Sequence, residues 1–290
     1  MEIEITRDPW RFAERAQGFL AARIACNRMA TALDQTLQAA AGSVSTAGNA
    51  TQIKPVFAVG SDPGTGEVVA AALHTPGWVM LATGFDDDAD ARELLERWLA
   101  EDPTLNEFSA QTLTAKALTH GWLAATGGTT EFVVGEALHS LTEVSGPPRP
   151  AAGNLRTATS EDRELLLEWM IGFGADIDDH WRTSRITARL NQRLAAGEYF
   201  IWEDGRRVSA LAHHVQIAGA VRIGPVYTAP EFRNHGYASA AVAALSRRLL
   251  EGGAERCCLF TDLSNPTSNR IYASVGYVRI GDWEQHRLLR

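Results

Sequence analysis

Cysteine is scarce in this chain, basic charge is outweighed by acidic charge, and long apolar runs are missing. Three cysteines in 290 residues are too few for a disulfide framework. Cys257 and Cys258 are neighbours in an apolar run and Cys26 falls in a helical pattern. None has CxxC spacing or a histidine at ligand spacing, so the thiols read as small buried hydrophobes and no metal is expected. Lys and Arg number 27 against 35 Asp and Glu, a net charge of −8. A general nucleic-acid binder needs basic excess on some face to neutralise phosphates, so no nucleic-acid partner is expected. No apolar run approaches the ~20 residues that span a bilayer, and Met1-Glu2-Ile3-Glu4 lacks the basic-then-apolar order of a signal peptide. The expectation is a cytoplasmic protein with no membrane partner.

What is present is an ordinary globular composition, 45% hydrophobic and 21% charged, and length for two domains that each bury a core. The stretch Gly146-Pro147-Pro148-Arg149-Pro150 reads as a linker, because proline cannot donate to a ladder and biases its neighbours to extended conformations. The domains are therefore expected at 1–146 and 154–290, with 147–153 between them.

The second domain has the clearer pattern. Thr159-Ser160-Glu161-Asp162 has the form of a capping box, followed by Leu165, Leu166, Trp169, Met170 and Phe173 at helical spacing. Ile186, Leu190 and Leu194 mark a second helix. Three strands follow, the first two joined at Asp204-Gly205, a hairpin dipeptide, and the third, Val221 to Thr228, broken by Gly224-Pro225 as at a bulge. A helix with Val242, Leu245 and Leu249, a buried strand Cys257–Thr261, a helix Pro266–Ser274 and a closing hairpin from Tyr277 to Leu288 complete it. The expected fold class is α/β (α+β), helices flanking a mixed sheet.

Between strand and helix lies Arg233-Asn234-His235-Gly236-Tyr237-Ala238-Ser239. A helix start offers unpaired N–H groups and the positive dipole end to an anion. Gly236 permits close backbone approach and Ala238 leaves room for a diphosphate. A plain strand–helix connection would use the same glycine. The second motif, Asn265-Pro266-Thr267-Ser268-Asn269-Arg270-Ile271-Tyr272-Ala273-Ser274-Val275-Gly276-Tyr277, lies one helix and one strand downstream.

Together the (Q/R)xxGx(G/A) turn and the NxxSxxxYxxxG(F/Y) segment resemble the GNAT superfamily of N-acetyltransferases over about 155–290. The resemblance implies acetyl-CoA as co-substrate, no metal, and a small-molecule or protein amine as acceptor. By position it implies that the backbone of Val226, Tyr227 and Thr228 holds the pantetheine arm. Arg233, Asn234, His235, Gly236, Tyr237, Ala238 and Ser239 would cradle the pyrophosphate, Asn265 would touch the cofactor or a water, and Tyr272 would protonate the departing thiolate. Tyr272 also reads as a core aromatic and Asn265 as a helix cap. No base is fixed by the pattern; His213 and His214 face opposite sides of one strand, and Glu203 and Glu231 stay open.

The first domain repeats the order loosely: helical patterns over about 9–40, strands near Val56–Val59, Val68–His74 and Trp78–Ala82, helices about Ala89–Leu99 and Ala110–Ala125, and a strand about Thr129–Val134. It reads as a diverged copy of the same fold. Its corresponding turn carries Asp86, Asp87, Asp88 and Asp90, carboxylates that repel a diphosphate, so this half is expected not to bind CoA but to shape the acceptor cleft, form a homodimer or stabilise its neighbour. The rival functions are a non-catalytic acyl-CoA sensor and a same-fold transferase with charged tRNA as donor, which the acidic balance disfavours.

Overall fold

The structure is a computed structural model that describes residues 1–42, 54–75, 77–146, 150–176 and 183–290. Pro147, Pro148 and Arg149 of the expected linker and the side chain of Cys26 lie outside them. The first series of elements is β1 (Glu2–Thr6), α1 (Pro9–Ala21), α2 (Asn27–Gly42), β2 (Val56–Ser61), β3 (Val68–His74), β4 (Met80–Thr83), α3 (Asp88–Glu101), β5 (Glu107–Gln111), α4 (Thr112–Thr126) and β6 (Thr129–Leu141). The second repeats it: β7 (Asn154–Thr157), α5 (Arg163–Asp176), α6 (Thr183–Ala195), β8 (Tyr199–Glu203), β9 (Arg207–His213), β10 (Ala220–Thr228), α7 (Tyr237–Glu251), β11 (Arg256–Asp262), α8 (Pro266–Val275) and β12 (Val278–Leu289).

Two compact units result. The first comprises Met1–Leu138, Asp262–Ser264 and Gly281–Arg290; the second comprises His139–Thr261 and Asn265–Ile280. Gly281–Arg290, which close the second series in chain order, are thus built into the first unit.

In the first unit β1 to β4 pair antiparallel in sequence order, β4 pairs β5 in parallel, and β12 lies antiparallel along β5 from Trp283↔Gln111 to Arg287↔Glu107. Every residue of β2 is buried, as expected of a strand covered on both faces. Phe12 of α1 stacks on Phe57 at 4.9 Å, while Phe85, Trp98, Phe108 and Trp122 are fully buried in the α3 and α4 core. The long N-terminal helical pattern is two helices, parted at a 3-10 turn Ile24–Cys26.

In the second unit β7, β8, β9 and β10 are antiparallel and β10 pairs β11 in parallel. Side chains alternate between two faces, with a change of phase in β9 at the register shift opposite Trp202 and Glu203, which puts Val208 on the face of Leu211. Tyr199, Ile201, Ala210 and Ala212 face Leu166, Trp169, Met170 and Leu190 of α5 and α6. Phe200, Trp202, Val208 and Leu211 pack in the other cluster, with Val242, Leu245, Tyr272 and Val275 of α7 and α8. The capping box forms: the Thr159 amide donates to the Asp162 carboxylate at 2.8 Å. The Asp204-Gly205 hairpin forms too, with Gly205 at φ 64°.

The closing hairpin expected from Tyr277 to Leu288 is instead the single strand β12. Gly281 has no positive φ, and a tight hairpin turn needs one.

Candidate functional site

Two local irregularities coincide where β10 gives way to α7. The β9–β10 register runs Ile223↔His213 and then Val226↔Leu211, so Gly224 and Pro225 oppose Ala212 alone. This is a one-residue bulge, which bends the strand that carries it. On its other side β10 pairs β11 only from Ala220↔Arg256 to Arg222↔Cys258, although β10 continues to Thr228 and β11 to Asp262. The two parallel strands part at the bulge, and Val226, Tyr227 and Thr228 lie on the parted segment.

A 3-10 turn Pro230–Phe232 then leads to α7. Asn234 and Gly236 both have positive φ, 69° and 82°, and Gly236 is the N-cap of α7 with no side-chain cap bond. The amides of Tyr237, Ala238 and Ser239 in the first turn have no partner one turn back, since Ala240 is the first to bond, to the Gly236 carbonyl at 3.0 Å. They present donors and a positive dipole end to an anion. Ser239 is buried; Arg233, Asn234 and His235 are exposed or partly so.

Several side chains of this turn are already engaged. Arg233 Nη2 donates to Asp176 at 2.6 Å and Nε to the Thr228 carbonyl at 3.1 Å, so its charge is partly neutralised. His235 Nδ1 bonds the Arg233 carbonyl at 2.8 Å and therefore carries the proton, a carbonyl being acceptor only. Tyr237 donates to Asp204 of the β8–β9 turn at 2.7 Å, which raises its pKa. Tyr227 packs under α5, where a Cβ on Gly172 would sit 2.6 Å from its hydroxyl oxygen and force the ring to shift.

Asn265 is the N-cap of α8: its Oδ1 accepts from the Ser268 amide at 3.0 Å, and its carbonyl accepts from Asn269 Nδ2 at 2.9 Å. Its side-chain oxygen is therefore spent on the helix, leaving the amide nitrogen as its donor. Tyr272 is 9% exposed in the cluster against which Val226 and Tyr237 also pack, edge-on to Tyr277 at 6.0 Å. Among the described residues its hydroxyl has no hydrogen-bond partner. Burial pushes its pKa up to about 12, so the phenol holds its proton throughout the neutral range.

The four side chains weighed as base fare differently. His213 lies tilted against Phe200 at 5.7 Å between ring centres and bonds the His214 carbonyl at 3.0 Å. His214 is buried, and burial together with Arg222, Arg193 and Arg189 drives its pKa well below the usual value, which makes it a poor proton acceptor. Glu203 is paired with Arg156, and Glu231 is exposed on the 3-10 turn.

The corresponding place in the first unit is built differently. Its parallel pair stays joined from Met80↔Phe108 to Ala82↔Ala110, and at the next position Thr83 donates to Gln111 Oε1 at 3.0 Å. The start of α3 is closed by Asp87, whose carboxylate accepts from Ala89 and Asp90 at 2.8 and 3.3 Å. A cavity of about 390 Å³ beside it is lined by Asp86, Gln111, Thr112, Leu113 and Asp282, two of them acids. Among the described residues no group of three or more His, Cys, Asp and Glu could hold a metal, and no helix is long and apolar enough to cross a membrane.

Residues 163–277 match the family model described as the acetyltransferase (GNAT) family. A search of curated proteins gave no match. Solved structures similar over nearly the whole chain include an acetyltransferase from the GNAT family of Colwellia psychrerythraea, 10% identical, covering 100% of both chains at TM-score 0.61. A GCN5-related N-acetyltransferase from Sphaerobacter thermophilus is 16% identical over 98% of this chain and 95% of its own, at 0.58. A tandem GNAT protein from the clavulanic acid biosynthesis pathway is 16% identical over 99% and 98%, also at 0.58. At such identities the likeness establishes fold, and the family match covers the segment that contains the parted strands and the open helix start. Residues 163–277 are a domain of the GNAT acetyltransferase family, in a chain whose two units take the tandem GNAT fold.

Proposed function

We propose that the second unit is an acetyl-CoA-dependent N-acetyltransferase acting on a primary amine by direct attack. The observation that carries this reading is the coincidence of parted strands with an uncapped helix start: a slot between β10 and β11 opens beside a ring of free amides. The residues fit a diphosphate, because Gly236 puts no side chain in the first turn of α7 and no carboxylate stands there. The amides of Tyr237, Ala238 and Ser239 would hold the pyrophosphate, with Arg233, Asn234 and His235 at its rim. The backbone of Val226, Tyr227 and Thr228 would hold the pantetheine arm. The thioester supplies an activated acyl carbon; the chain supplies position and a proton. Much of the rate would come from orientation and from donors near the developing oxyanion. Tyr272 holds its proton at neutral pH and would pass it to the departing thiolate, while Asn265 offers its amide nitrogen.

A non-catalytic acyl-CoA sensor is the second reading. It draws on His214 being neutral and buried and on Glu203 being paired, which removes two of the four side chains weighed as base.

Titration calorimetry with acetyl-CoA tests the shared part: binding is expected, and Gly236→Glu should abolish it. Undiminished binding in that variant would discredit the helix-start site. A panel of amines with acetyl-CoA separates the two readings, turnover supporting the transferase and binding without turnover the sensor.

A further inference from the structure

The bulge in β10 decides which side chains reach α5. Ile223 packs in the α7 and α8 cluster, whereas Tyr227 packs in the α5 and α6 cluster. Residues four apart on a regular strand share a face, so the extra residue is what moves Tyr227 across. Pro225 brings no N–H to this stretch, and the bulge interrupts the ladder between Ile223 and Val226. The geometry must therefore be held from outside the ladder.

Arg193 of α6 reaches that point. Its side chain is only 6% exposed. Nη2 donates to the His213 carbonyl at 2.6 Å and, at 3.4 Å, to the carbonyl of Gly224 in the bulge itself. Nε donates to Glu198 at 2.7 Å, and the guanidinium lies over the Tyr199 ring at 5.2 Å. Nη2 takes the two carbonyls, Nε the carboxylate and the guanidinium face the ring, an arrangement that a lysine ammonium cannot reproduce.

We propose that Arg193 is a positioning residue: it clamps the β10 bulge to the end of β9 and so holds the Val226–Thr228 backbone in the parted position against which an acyl donor is laid. The donor's part in this rests on the function proposed above; the clamp does not. Loosening it lets Gly224–Pro225 relax and Val226–Thr228 shift their amides and carbonyls.

The test uses the full chain as wild type, Arg193→Lys, Glu198→Ala and, as control, Arg156→Lys, which disturbs another arginine–carboxylate pair of the same unit. Amide hydrogen exchange over 223–229 is measured without ligand, alongside acetyl-CoA affinity by calorimetry. Arg193→Lys should speed exchange there at least about tenfold and weaken acetyl-CoA by a similar factor, with Glu198→Ala moving both the same way. Arg156→Lys should lower the melting temperature and leave both unchanged. Unchanged exchange over 223–229 in Arg193→Lys overturns the clamp; should that variant not fold, unchanged exchange in Glu198→Ala does so. If wild type binds no acetyl-CoA, the function proposed above falls, and exchange still judges the clamp.

Discussion

Asp87 and Gly236 stand at the same point of the two repeats, each the N-cap of the helix after the fourth strand, and only Asp87 closes its helix with a side chain. A carboxylate that accepts two first-turn amides occupies the place an external anion would take. The aspartate stabilises α3 by the interaction that, at α7, the proposed function assigns to a ligand. One acetyl-CoA per chain is therefore expected in calorimetry. Asp87→Ala should destabilise the first unit by about 1 kcal/mol in denaturant unfolding without creating a second binding site. A stoichiometry of two would refute this difference.

Tyr272 should matter to turnover more than to affinity. Tyr272→Phe removes the proposed proton donor and keeps the ring, so the rate is expected to fall with acetyl-CoA binding nearly unchanged. Equal rates would remove Tyr272 from the mechanism.

The same residue has an alkaline signature. Its pKa in the folded chain is about 12, against ~10 in an unfolded chain. Between these values the unfolded chain has lost a proton that the folded chain keeps, so stability declines as pH rises. The contribution is intact below ~10 and is lost as pH climbs through about 12. Urea unfolding between pH 9 and roughly 11 should show a shallower decline in Tyr272→Phe than in wild type; parallel curves would contradict the burial.

At the acid end Asp162 dominates. Arg156 grips it with two bonds of 2.7 and 2.9 Å, Arg207 adds one of 3.2 Å, and the carboxylate is only 2% exposed. Arg156 first, then the Thr159 amide, hold its pKa far below the ordinary carboxylate value. Its stabilisation is present above ~4, the unfolded value, and is lost as pH falls below it. Asp162→Asn should cost about 3 kcal/mol at neutral pH, the low end for a broken buried pair because Arg156 is one-third exposed, and should flatten the loss of stability below pH ~4.

The first unit should depend on the last residues of the chain. Trp283 is fully buried, Trp122 Nε1 donates to the Leu289 carbonyl at 3.0 Å, and the Leu288 amide donates to the Asn106 carbonyl at 2.7 Å. A chain ending at Ile280 would expose the edge of β5 and open a cavity at Trp283. Loss of the slow-exchanging amides of β5 and α4 is the expected result, and Trp283→Ala should cost about 3–5 kcal/mol. Native exchange protection of β5 in the truncated chain would refute it.

Local chemistry was legible in the sequence wherever neighbours in the chain settle the structure. The Thr159–Asp162 box, the Asp204-Gly205 turn and the glycine at the head of α7 all act within a few residues, and their residue types state the conformation. β5 was not legible: Glu107-Phe108-Ser109-Ala110-Gln111 has one strong strand former and runs into α4 with no glycine or proline between, so it read partly as helix. Asn265 was legible as a helix cap, and its bond from the Ser268 amide shows that role in place.

By itself the sequence determined the order of elements from α5 to α8 and the turn that leaves α7 uncapped, because these depend on side-chain size, φ preference and spacing within one segment. Tertiary structure alone decided that β12 runs beside β5, that Arg193 of α6 reaches Gly224, that His214 is surrounded by arginines, and that β10 and β11 part while β4 and β5 stay joined. Those outcomes depend on which distant backbone groups meet, and hydrogen bonds between strands leave no mark on the residue types that make them.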